Sequence, residues 1–177
     1  MIGDGELARR AGALDWLLFD VDGVFTDGRL VYSERGEELK TFHVRDGFAV
    51  KLARRAGFKV GLLSGRKSGA LERRAADLGF DAVMLGHSDK APVFAAFLAD
   101  HATAAERVAY VGDDLPDLPV LAACGLALCP ADAAAEVRRA ADLVLDARGG
   151  DGAVREVVER LLRARGDWDE QIAHWTG

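Results

Sequence analysis

Apolar positions along the chain fall into short continuous runs, separated by longer stretches in which they recur every three or four residues. The runs are WLLFDV (16–21), KVGLLSG (59–65), DAVMLG (81–86), RVAYVGD (107–113), LALC (126–129) and LVLD (143–146). Runs of this length without polar alternation predict strands buried on both faces, as in a parallel sheet. Between them GFAVKLARRAG, SGALERRAADLG, DKAPVFAAFLADHA, LPDLPVLAACG, AAAEVRRAAD and GAVREVVERLLRARG carry the helical period. Gly57, Gly79 and Gly125 sit where helix C-caps are expected. Strand alternating with helix predicts a doubly wound, Rossmann-like α/β fold, its mostly parallel sheet covered by helices on both faces.

One segment breaks the alternation. In RLVYSERGEELKTFH (29–43) two β-prone stretches flank a polar turn, which predicts a β-hairpin inserted after the first strand. The polar tail 166–177, with two tryptophans, is expected to be frayed or docked on a neighbouring subunit. No linker or repeat divides the chain, so residues 1–177 are read as a single domain. With 177 residues and 50% apolar content there is enough material for one well-packed core.

The net charge of −6 argues against a general nucleic-acid binder, which needs surplus Lys and Arg to neutralise phosphates. Any anion must then be held by a few local groups. No run approaches the roughly 20 apolar residues of a membrane span, and the opening MIGDGELARRAG lacks an apolar signal core. A cytoplasmic protein with no membrane partner is expected. Cys124 and Cys129 lack the spacing of a zinc site and are read as reduced core residues.

In an open α/β sheet ligands bind beyond the carboxyl ends of the strands. The first predicted strand ends in Asp20-Val21-Asp22, the second in Ser64-Gly65-Arg66 and the fourth in Gly112-Asp113-Asp114, while Lys90 opens the helix after the third. Clustered carboxylates repel unless a cation holds them, and hard oxygens favour Mg²⁺. Magnesium suits phosphate, Ser64 can donate to a phosphoryl oxygen, and Lys90 can offset developing charge. An Asp can attack phosphorus to give an acyl-phosphate. The chain is expected to leave strand geometry near Val21, a bend that Gly23 allows, with both Asp side chains set around one site.

The motifs DVDGVFTDG, LLSGR, SDK and VGDDLPD resemble, in order, those of the haloacid dehalogenase superfamily of phosphohydrolases. More narrowly, DVDGVFTDGRL, RGEELK, FHVRDGFAVKL and GGDGAVREV are similar to a branch that dephosphorylates an eight-carbon sugar acid in lipopolysaccharide precursor synthesis. The resemblance implies that Asp20 is the nucleophile and that Asp22 protonates the leaving oxygen and then activates water. It implies Mg²⁺ on Asp20, Asp113 and Asp22, the last through its backbone carbonyl, with Ser64 and Lys90 holding the phosphoryl group. Gly65, Asp114 and Asp117 would support the site, and Thr26 would orient Asp22. The sugar acid would be contacted by Asp22, His43, Val44, Arg45, Asp46, Gly47, Lys51, Arg66, Arg74 and Lys90. The resemblance further implies no large cap domain, and a homotetramer whose hairpins and tails cover neighbouring sites.

Two positions depart from the branch's pattern: Lys51 and Asp151 both stand where Arg is common. An acidic Asp151 beside the substrate would repel a sugar acid, which keeps a nine-carbon, sialic-acid-like 9-phosphate as the alternative substrate. A phosphorylated signalling switch and a non-catalytic tetramerising domain are the other readings. The first fits poorly because DxD comes first and GDDLPD last; the second, because Asp20 and Asp22 are both present.

Overall fold

A computed structural model describes residues 2–176. The chain opens with α1 (Asp4–Ala11) and β1 (Trp16–Phe19), followed by the small strands β2 (Val31–Tyr32) and β3 (Glu38–Leu39). Then come α2 (Val44–Arg55), β4 (Lys59–Ser64), α3 (Gly69–Leu78), β5 (Ala82–Leu85), α4 (Lys90–Asp100) and β6 (Val108–Val111). The last part holds α5 (Leu118–Ala123), β7 (Leu126–Cys129), α6 (Ala135–Ala140), β8 (Leu143–Val144), α7 (Ala153–Arg165) and α8 (Trp168–Thr176).

Six strands pair in the order β5-β4-β1-β6-β7-β8, every neighbouring pair parallel. The first strand therefore lies inside the sheet, with Phe19 opposite Leu62 of β4 and Val111 of β6. Its side chains alternate between faces as the pleat requires. Leu17 and Phe19 join a core with α2, α3 and α7, while Trp16 and Leu18 join one with α4, α5 and α6. In α7, Val154, Val157, Val158, Leu161 and Leu162 are all fully buried, each stabilising the fold by about 1.5–3 kcal/mol. That stripe follows the helical period of its sequence.

The hairpin forms as a separate two-stranded sheet, with Val31 opposite Leu39 and Tyr32 opposite Glu38. It is shorter than the apolar pattern implies, because only two residues on each side pair. The next helix also begins earlier than its apolar period: His43 caps α2, its Nδ1 accepting the Arg45 N–H at 3.2 Å. Gly79 caps α3 as expected, whereas Gly57 and Gly125 fall one residue beyond the caps Ala56 and Cys124.

The tail differs from a frayed segment. After Gly166 the chain resumes as α8, burying Trp168 and Gln171. The Arg163 guanidinium lies 4.6 Å from the centre of the Trp168 ring, so the tail docks on its own α7. Among the described residues no helix is long and apolar enough to cross a membrane. Both cysteines are free thiols, and burial pushes Cys124 up to about 12 and Cys129 up to about 11.

Candidate active site

Strand β1 stops at Phe19, and the chain then curls around one carbonyl. The oxygen of Val21 accepts the N–H groups of Val24, Phe25 and Thr26 at 3.2, 2.9 and 3.1 Å. Gly23 makes the curl possible: its φ is +87°, and a Cβ there would lie 2.0 Å from Asp113 Oδ2. Both strain and space demand glycine at this point. The loop before α7 braces the curl from behind, where the Gly150 N–H donates to the Val24 carbonyl at 3.0 Å. A Cβ on Gly149 would meet the Gly23 carbonyl oxygen at 1.9 Å, so the two backbones touch directly.

The curl and the ends of β4 and β6 open onto a cavity of about 390 Å³. Asp20, Asp22, Ser64, Gly65, Arg66, Lys90, Asp113, Asp114 and Asp117 line it, together with Gly28, Ser88 and Pro116. Residues drawn from four separate stretches of sequence thus converge at the carboxyl end of the sheet.

Lys90 is the pivot, with only 3% of its surface exposed. Its Nζ lies 2.9 Å from Asp20 Oδ1 and donates to Asp117 Oδ1 at 2.6 Å and to the Tyr110 hydroxyl oxygen at 3.2 Å. Burial works against its charge, but Asp20 and Asp117 outweigh it and hold the ammonium above its ordinary range. Asp117 is fully engaged: Oδ1 also accepts the Tyr110 hydroxyl at 2.6 Å, and Oδ2 accepts the N–H of Asp113 at 2.9 Å and of Asp114 at 3.2 Å.

Asp20, Asp113 and Asp117 each place a carboxylate oxygen within 4.8 Å of the others. Since the oxygens of Asp117 are already used by four donors, Asp20 and Asp113 are the pair suited to a divalent cation. Burial pushes Asp20 up to about 6, against the pull of Lys90. Burial, reinforced by the charges of Asp20, Asp117 and Asp114, pushes Asp113 up to about 8. Two buried carboxyls that raise one another in this way are suited to share a divalent cation, and oxygen ligands of this kind fit Mg²⁺.

Asp22 points elsewhere. Its Oδ1 accepts the Lys40 ammonium, and its Oδ2 lies 3.8 Å from Arg66 Nε. Its carboxylate therefore stands apart from the acidic group around Lys90. Lys40 also lies 3.0 Å from Glu38 Oε1, and Arg66 donates to Glu38 Oε2 at 2.7 Å. The hairpin thus reaches the cavity of its own chain. Sequence reasoning missed Lys40 and Glu38 because it read 33–38 as a polar turn and took RGEELK only as a motif of the resemblance. The available signal was strand alternation, which turns Lys40 inward beside the exposed Leu39.

Several other expected contacts lie outside the cavity. Asp46 is wholly buried and its Oδ1 accepts the Arg155 N–H at 2.8 Å, which ties α2 to α7 instead of facing a ligand. Gly47 is packed against the Arg74 guanidinium, which in turn lies 5.6 Å from the centre of the Phe42 ring. His43 is occupied as the helix cap, and Val44, Arg45 and Lys51 face solvent. Thr26 does not reach Asp22: its hydroxyl donates to the Val21 carbonyl at 3.4 Å and accepts the Gly28 N–H at 3.3 Å, which closes the curl. Asp114 does line the cavity, but as a cap, its Oδ1 accepting the Leu115 N–H at 2.8 Å. Asp151 lines a separate cavity with Asp27, Arg29, Asp132 and Arg148.

No family model matches the chain. Among curated proteins, the 3-deoxy-D-manno-octulosonate 8-phosphate phosphatase of Haemophilus influenzae is 44% identical over 153 residues, 86% of this chain and 85% of that protein. The phosphatase of the same name from Escherichia coli K12 is 42% identical over 165 residues, 93% of this chain and 88% of the other. A structure of 3-deoxy-D-manno-octulosonate 8-phosphate phosphatase from Moraxella catarrhalis, in complex with magnesium, phosphate and the sugar acid, aligns with a TM-score of 0.94 at 31% identity. That alignment covers 97% of this chain and 99% of the other. The cobalt-bound Haemophilus influenzae structure aligns with a TM-score of 0.85 at 43% identity, over 89% and 92% of the two chains.

Proposed function

The chain belongs to the family of 3-deoxy-D-manno-octulosonate 8-phosphate phosphatases, and on that premise we propose that it hydrolyses this sugar-acid phosphate to 3-deoxy-D-manno-octulosonate and inorganic phosphate. The observation that carries the reading is the convergence of Asp20, Asp22, Ser64, Lys90 and Asp113 on one cavity.

A carboxylate oxygen of Asp20 attacks phosphorus as the bond from phosphorus to the bridging oxygen breaks. The electron pair stays on the sugar oxygen, which takes a proton from Asp22. Water, giving its proton to Asp22, then attacks the aspartyl-phosphate, releases phosphate and restores the Asp20 carboxylate. Ser64 and Lys90 bind the phosphoryl oxygens, and the hold of Asp117 on Lys90 fixes where that charge sits. Asp20, Asp113 and the main-chain carbonyl of Asp22 would hold Mg²⁺, which supplies positive charge to the phosphoryl oxygens.

Arg66, at the rim of the cavity, is suited to the sugar-acid carboxylate, because its planar fork can engage both oxygens. The eight-carbon substrate is favoured over a nine-carbon one, since Asp151 borders a different cavity and does not oppose a carboxylate here. The exposed apolar side chains of the hairpin, Leu30, Val31, Tyr32 and Leu39, support assembly into a homotetramer. Within such an assembly His43, Arg45, Lys51 and Arg74 could act on a neighbouring site. A cytoplasmic location accords with a role in making a lipopolysaccharide precursor.

The test is phosphate release with Mg²⁺ from the eight-carbon 8-phosphate and a nine-carbon keto-acid 9-phosphate in parallel, with Asp20→Asn as control. A large preference in kcat/KM for the first, abolished by the substitution, is expected. Preference for the second would transfer the chain to the nine-carbon reaction; release from neither would remove the phosphatase reading.

A further inference from the structure

The hairpin carries one side chain that the reaction scheme does not yet use. Lys40 is polar and follows a two-stranded ribbon whose apolar side chains, Val31, Tyr32 and Leu39, face solvent, yet its own side chain is only 1% exposed. Its ammonium meets Oδ1 of Asp22 and lies 3.0 Å from Glu38 Oε1. Burying an ammonium without partners is costly, so these two carboxylates hold it in place. The hold is mutual. Arg66 donates to the other oxygen of Glu38 at 2.7 Å, so Glu38 is itself fixed from the end of β4. Oδ2 of Asp22 is buried and has no hydrogen-bond partner.

From this arrangement we propose that Lys40 is a positioning residue for Asp22: it clamps Oδ1 so that Oδ2 alone faces the leaving oxygen. The inference rests on the phosphatase reading above. A carboxyl group turned by rotation about its Cβ–Cγ bond presents either oxygen, and productive proton transfer requires one oxygen within hydrogen-bond reach of the bridging atom. Fixing one oxygen through an ammonium leaves the other in a single orientation. Because Lys40 comes from the hairpin, the acid is set only when the hairpin is seated over the cavity.

The test exploits the leaving group. A sugar alkoxide needs a proton as it departs, whereas p-nitrophenolate leaves unprotonated. With Mg²⁺ present, Lys40→Met is expected to lower kcat/KM for the sugar-acid phosphate by about 30- to 100-fold, within the range that general acids contribute. For p-nitrophenyl phosphate the loss should stay below about threefold, and product inhibition by 3-deoxy-D-manno-octulosonate should be unchanged. Lys40→Arg should recover most of the lost rate. In an Asp22→Asn background Lys40→Met should cost nothing further, since the two residues act as one unit. Equal losses with both phosphates, weaker product inhibition, or an additive loss in the Asp22→Asn background would overturn the proposal; so would wild-type rates in Lys40→Met. If the wild-type protein hydrolyses p-nitrophenyl phosphate but no sugar-acid phosphate, the substrate assignment fails instead, and the double-substitution cycle on simple alkyl phosphates still decides the role of Lys40.

Discussion

Lys90 and Tyr110 share one acceptor: each approaches Oδ1 of Asp117 to 2.6 Å, and the hydroxyl of Tyr110 accepts from Lys90 in turn. This closed triangle of buried groups holds the ammonium 2.9 Å from Asp20 Oδ1. The burial of Tyr110 inside β6, which pushes its hydroxyl well above its ordinary range, keeps it a neutral donor to Asp117.

Asp117→Asn should therefore break more than one contact. An amide has one acceptor oxygen, so it cannot take both the Lys90 and Tyr110 donors on one side and the Asp113 and Asp114 N–H groups on the other. Removing one partner of a buried pair costs about 3–5 kcal/mol, and urea unfolding should read a loss of that size. Turnover should fall at least about tenfold at saturating Mg²⁺, because a displaced Lys90 no longer meets the phosphoryl group in its best geometry.

Gly23→Ala tests the curl. A methyl group there forces a left-handed φ on alanine, costing about 1–3 kcal/mol, and drives into the Asp113 carboxylate. Isothermal titration should show Mg²⁺ affinity weakened at least about tenfold. Unchanged affinity would remove Asp113 from the ligand set.

The acidic pair sets a pH dependence for the metal-free protein. Asp20 at about 6 and Asp113 at about 8 both titrate above the carboxyl value of the unfolded chain, about 4. The folded state then holds protons that the unfolded state has released, so folding stability falls as pH rises from about 4 to about 8. Mg²⁺ takes the place of those protons. The rise in Tm on adding Mg²⁺ to protein pretreated with chelator should accordingly be larger at pH 8 than at pH 5.5. A rise independent of pH would contradict this account.

Arg66→Ala addresses the substrate. A charged hydrogen bond to a carboxylate contributes about 1.5–3 kcal/mol, so KM for the sugar-acid phosphate should rise about 10- to 100-fold with kcat within about threefold of wild type. Steady-state kinetics reads the split directly, and a fall in kcat alone would place Arg66 in the chemical step.

The alternation of apolar runs and helical periods made the sheet legible, because strands covered on both faces leave no polar positions to confuse the pattern. Asp20, Ser64, Lys90 and Asp113 were legible for a related reason: each follows directly from a strand end or helix start, so predicting the sheet also predicts where they meet. Lys40 was not. Its position depends on a hairpin of two-residue strands folding back onto Asp22 and Arg66, a contact between separate segments that local pattern does not encode. The same holds for Thr26, whose hydroxyl turns to its own backbone, and for Asp46, whose partner lies on α7. That the tail is helical and not frayed was hard to read because its apolar positions are few, and Trp168 is buried through the cationic side chains of α7.

The contact of Gly149 and Gly150 with the curl after β1 bears on how the protein is made. Synthesis delivers Asp20 early, but the backbone that braces its loop is translated about 130 residues later, and strands β4 and β6 on either side of β1 also come after it. A nascent chain stalled before residue 149 would carry the nucleophile in an unsupported loop. On the ribosome this site is completed only after the loop before α7 has been made, so a working centre forms long after its nucleophile has been synthesised.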